Sequence, residues 1–61
     1  MKYSELEKLL RKAGCTVRRE GHEHRIWYSP ATDKTFPVGR HKTKDVPFGT
    51  LKKIKESAGL E

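Results

Sequence analysis

Three of the 61 residues are histidines, and two of them, His22 and His24, flank Glu23 directly after Gly21. Imidazole is the side chain whose ordinary titration falls near neutral pH, so this cluster is the first candidate for moving a proton. The third, His41, stands in a run of positive charge with Arg40, Lys42 and Lys44. Cleavage of RNA asks for little more. The substrate's own 2′-hydroxyl can attack the adjacent phosphate, so a protein need supply only a proton acceptor or donor, typically ~10² to 10⁴ in rate, and cations facing the phosphoryl oxygens. DNA lacks the 2′-hydroxyl, and the same residues are expected to bind it without cutting it. The competing chemistry is a metal site. His22 and His24, two apart on a strand, would then need a third ligand such as His41 or Glu23, and with no paired cysteines that set is the weaker reading. No metal or cofactor is expected.

Charge supports an anionic partner. Fourteen Lys and Arg against eight Asp and Glu leave a net charge of +6, which suits nucleic acid, an acidic protein or a membrane surface. The excess is concentrated in residues 34–55, where Lys34, Arg40, Lys42, Lys44, Lys52, Lys53 and Lys55 face only Asp45. A chain of this length holds one small core, worth rarely more than ~3 to 5 kcal/mol, so multidomain enzymes and large internal pockets are excluded and any chemistry belongs on an exposed face. The single cysteine, Cys15, rules out an intrachain disulfide and reads as a small core residue. No apolar run approaches the ~18 residues of a membrane span and no apolar leader is evident, so the cytoplasm, without membrane contact, is the expected setting.

The elements that must position these residues follow from patterning. Ser4 and Glu7 have the spacing of a capping box, and Leu6, Leu9, Leu10 and Ala13 form one helical stripe that Gly14 ends. Cys15–Glu20 and His22–Ser29 read as two strands around Gly21. Ser29–Asp33 is turn chemistry and leads to a third strand, Lys34–Val38, with Phe36 and Val38 on one face and Pro37 marking an edge or a bulge. After a basic loop, Pro47 opens a second helix with Leu51, Ile54 and Ala58 buried, Gly59 stopping it, Leu60 folding back and Glu61 as the tail. The fold class is α+β, ordered α-β-β-β-α, with a three-stranded antiparallel sheet and both helices on one face.

Alternation along the second strand puts His24, Ile26 and Tyr28 on one side, and Arg25 and Trp27 on the other. With Tyr28 sharing the inner side with Ile26, Trp27 is the outward ring able to stack on an unpaired base, against the alternative of simple packing. The same parity turns His24 toward the helices, so a catalytic role requires it to lie at the strand's opening, beyond their cover.

The Leu-Leu pair of the first helix, then Gly21 to Pro30 with His24-Arg25-Ile26-Trp27, then Phe36-Pro37-Val38, Arg40-His41, Gly49-Thr50-Leu51 and Ala58-Gly59-Leu60, resemble the HicA family of toxins over nearly the whole chain. The resemblance implies a double-stranded-RNA-binding-domain-like fold over residues 1–61. It implies a metal-independent endoribonuclease acting on mRNA as the toxin of a toxin–antitoxin system, and a HicB antitoxin that holds it inactive. The family's catalytic histidine opens the second strand, ahead of an Ile and an aromatic, and so maps onto His24. Arg40 and His41 match a recurrent pair, with Gly39 standing where Pro is usual. Arg25, Trp27, Arg40, His41, Lys42 and Lys44 are then the expected RNA contacts. A noncatalytic RNA-binding module of the same fold, or a basic face that docks an acidic protein, would use the same charges.

Overall fold

The computed structural model describes residues 1–60, so Glu61, expected as a tail, lies outside the described residues. The elements are α1 (Tyr3–Lys12), β1 (Thr16–Glu20), β2 (His24–Ser29), β3 (Lys34–Gly39) and α2 (Phe48–Ala58). This is the α-β-β-β-α order read from the sequence. The N-cap of α1 lies two residues before the expected Ser4: it is Lys2, whose backbone N–H donates to Glu5 Oε1 at 3.1 Å. Ser4 and Glu7 therefore do not form the capping box. Glu7 is instead buried among the helix's inward residues with Leu6 and Leu10, where a partner on β2 holds it.

Both helices end on a glycine with positive φ, Gly14 at 88° and Gly59 at 78°. The amide of Cys15 returns to Leu10 O at 2.9 Å and that of Leu60 to Lys55 O at 2.9 Å, the Schellman pattern that satisfies two otherwise orphaned carbonyls. Pro47 immediately precedes α2 rather than lying in its first turn.

The sheet is antiparallel with order β1-β2-β3, which makes β3 an edge strand and gives Pro37 its tolerated position. In β2·β3 the register pairs His24 with Gly39, Trp27 with Phe36 and Ser29 with Lys34. In β1·β2 it pairs Thr16 with Tyr28, Val17 with Trp27, Arg19 with Ile26 and Glu20 with Arg25, and slips between Val17 and Arg19. That bulge leaves Arg18 without a partner of its own and re-aims the strand. Directly opposed residues share a face, so one side of the sheet carries Val17, Arg25, Trp27, Ser29, Phe36 and Val38. These meet Leu6 and Leu10 of α1 and Ile54 and Ala58 of α2 in one core, with Val46 and Cys15 at its margin. Each large side chain taken fully from water contributes ~1.5 to 3 kcal/mol. Ser29, fully buried, donates from Oγ to Ala58 O at 2.8 Å and so ties the end of α2 to the sheet. The opposite side, bearing His24, Ile26, Tyr28, Thr35 and Pro37, carries no helix.

The inner row corrects the assignment of faces. Trp27 is not the outward ring: its exposure is 0% and it lies at the centre of the core. Alternation holds as expected, but the larger apolar ring, opposed to Phe36, takes the inside, and Ile26 and Tyr28 take the outside. Trp27 is thereby unavailable for stacking on a base.

Candidate active site

His24 is the first residue of β2, exposed, and on the helix-free side. The difficulty raised by parity disappears with the reversal of faces, because no helix covers this imidazole. What aims it is the turn before it. Gly21 N–H donates to His24 O at 2.8 Å, and a Cβ at position 21 would sit 2.7 Å from that same oxygen. Only glycine lets the chain close so tightly. Arg40 Nη1 donates to Gly21 O at 3.0 Å, so the residue that leaves β3 clamps the turn that leads into β2.

Because His24 opposes Gly39, the chain enters the basic loop directly across from the imidazole. Arg40, His41, Lys42 and Lys44 are all exposed, and among the described residues none of them belongs to a salt bridge. The loop's backbone is held firmly. Tyr3 N–H donates to Lys44 O at 3.0 Å, Ser4 N–H to Lys42 O at 3.2 Å and Val46 N–H to Met1 O at 2.8 Å. Loop carbonyls thus satisfy the first amides of α1, which have no intrahelical partner. The Tyr3 ring packs against Gly39, where a Cβ would come within 3.2 Å of its Cζ. Arg40 thus stands one residue past the partner of His24, and His41, Lys42 and Lys44 follow it on a main chain tied to α1, cationic or titratable side chains of the kind that hold an anion.

Of the expected RNA contacts, Arg25 is the second correction. It points to the inner side and is half-buried, its Nε 2.7 Å from Glu20 Oε1 and its Nη1 3.5 Å from Glu7 Oε1. The guanidinium neutralises Glu7, whose side chain is only 10% exposed, and holds α1 to β2. Arg25→Ala is expected to cost ~1 to 3 kcal/mol by stranding Glu7, read as a lower urea midpoint, with RNA affinity of the folded protein unchanged. A variant of full stability that binds RNA weakly would reverse this assignment.

His22 and Glu23 are exposed in the turn. Among the described residues no three His, Cys, Asp or Glu side chains gather in a way that would hold a metal ion, and no helix is long and apolar enough to cross a membrane.

The sequence reading did not single out a pair on the helix-free side. The Arg18 guanidinium lies 4.0 Å from the centre of the Tyr28 ring, and Tyr28 Oη donates to Asp33 Oδ1 at 2.8 Å. That hydrogen bond is the main cause raising the phenol's pKa above its ordinary value of 10.0, with Arg18 opposing it. Asp33 itself adopts a left-handed φ of 56°, which Asp tolerates better than most residues.

A family model described as the HicA toxin of bacterial toxin–antitoxin systems matches residues 3–60. No curated protein and no solved structure matches the chain significantly.

Proposed function

Since the chain belongs to the HicA toxin family of bacterial toxin–antitoxin systems, we propose that it is the toxin endoribonuclease of such a system, cutting mRNA without a metal ion. Residues 1–61 act as one domain in the cytoplasm, and the family's antitoxin partner is in this case of the HicB type. His24 is the proton carrier. The 2′-oxygen of the substrate bonds to phosphorus as the P–O5′ bond breaks. The proton of the 2′-hydroxyl leaves and another reaches O5′; the imidazole accepts the first or donates the second, and solvent water serves the other transfer. The products are a 2′,3′-cyclic phosphate and a free 5′-hydroxyl. His41, Lys42 and Lys44 face the phosphoryl oxygens, and Arg40 combines that charge with its clamp on Gly21.

The observation that supports this reading is the pairing of His24 with Gly39, which sets an uncovered imidazole across from the start of the cationic loop. The test is cleavage of an mRNA fragment by purified protein in EDTA, with the ends identified chemically. Cyclic phosphate ends, and no cutting of the same sequence carrying 2′-deoxyribose, are expected. RNA bound tightly but left intact, with EDTA or with added divalent metal, would make the protein a binding module instead.

A further inference from the structure

The helix-free side of the sheet differs from an ordinary solvated face in three respects. Its central row on β2 is His24, Ile26 and Tyr28, two of them large and half-buried, at steps of ~6.6 Å along the strand. Its strand residues carry charge of one sign, and the carboxylate at its end, Asp33 in the turn after β2, is engaged by the Tyr28 hydroxyl. Glu20 is the only carboxylate within the three strands, and it belongs to the inner row, paired with Arg25. The bulge in β1 adds to this. By inserting Arg18 ahead of Arg19, which opposes Ile26, it turns two consecutive arginines to the same side, where strict alternation would have sent one of them inward. The third respect is order. Tyr28 is fixed by its hydrogen bond to Asp33 and carries the Arg18 guanidinium on its ring, so an aromatic plane and a cation are already stacked and facing water.

We propose that this face is a track for single-stranded RNA, along which the chain of nucleotides runs from Tyr28 over Ile26 to His24, with one base layered on the Arg18–Tyr28 stack. Unpaired bases stack on aromatic rings and on guanidinium planes, and open sheets elsewhere bind RNA in this manner. A paired base has no free face to offer. Arg19 follows the backbone between the stack and the imidazole, and two strand steps separate the gripped base from the phosphate at His24. The inference deepens the ribonuclease reading and rests on it only for the chemistry at His24, since the grip on RNA stands or falls separately.

The experiment uses the full chain carrying His24→Ala, so that RNA stays intact, and a fluorescent unstructured RNA oligonucleotide as probe, alone and annealed to its complement. Adding Tyr28→Ala is expected to weaken single-strand binding roughly 5- to 150-fold, the range of one lost base stack, with little change for the duplex. Tyr28→Phe should retain binding. Arg19→Glu, on an exposed side chain that the fold does not need, should weaken it too and reduce its salt dependence. Unchanged single-strand affinity in both Tyr28→Ala and Arg19→Glu, or equal losses for single strand and duplex, would overturn the track. The same substitutions made with His24 intact separate the two readings. Cleavage that persists undiminished in Tyr28→Ala and Arg19→Glu removes the track and keeps the ribonuclease, whereas single-strand binding that depends on both positions in a protein unable to cleave keeps the track and removes the ribonuclease.

Discussion

His24→Ala is expected to lower the rate of RNA cleavage by ~10² to 10⁴ and to abolish growth arrest on expression, with the circular dichroism spectrum and RNA affinity retained. The structural role of this residue resides in its main chain: the carbonyl accepts the Gly21 amide at 2.8 Å, and alanine keeps that carbonyl. The imidazole is exposed and supports no packing. His22→Ala, two residues earlier in the turn, is the matched control and should cleave nearly as well as the parent. Initial rates on one RNA substrate, measured side by side for both variants, provide the check. Full activity in His24→Ala would remove the proton carrier from the proposal.

Trp27→Ala is expected to fail at a different level. The ring is fully buried, and truncating a buried aromatic to alanine costs ~3 to 5 kcal/mol through lost transfer energy and the cavity left behind. A core of this size supplies a total of about the same magnitude. The variant should therefore be largely unfolded at room temperature, seen as loss of the cooperative urea transition. Trp27→Phe, which keeps an aromatic against Phe36 and the helices, should fold with a reduced midpoint. A folded Trp27→Ala protein whose sole defect is weak RNA binding would restore the outward ring.

The contrast between Trp27 and Tyr28 shows which part of the architecture could be read in advance. The order of the elements and the stops of the helices follow from local signals, with Gly14 and Gly59 ending α1 and α2 and Pro37 marking an edge, whereas the start of α1 and the start of β2 at His24 rather than His22 do not. The choice of inner face does not, because alternation separates two rows without saying which is inside. The information was present elsewhere in the chain. Phe36 and Val38 are apolar partners on β3, and a hairpin closing from Ser29 to Lys34 sets Phe36 directly opposite Trp27. Register carried across that turn therefore assigns Trp27 and Arg25 to the inside. Glu7 was similarly ambiguous, since a carboxylate three residues from Ser4 matches a cap, whereas its inward position beside Leu6 and Leu10 serves Arg25. The bulge in β1 had no recognisable signal in Thr16–Glu20, and with it the joint outward aim of Arg18 and Arg19 was invisible.

Lys42, Lys44 and Val46 are attached to the N-terminal segment through main-chain groups, two carbonyls and an amide, while the side-chain tie is made by Asp45, 3.5 Å from Lys2 Nζ. Peptide groups are common to nearly every amino acid, so the side chains at His41, Lys42 and Lys44 are free to vary without disturbing the scaffold that carries them. Those three side chains can be exchanged while the domain continues to fold, which makes the segment a replaceable cassette on a constant frame.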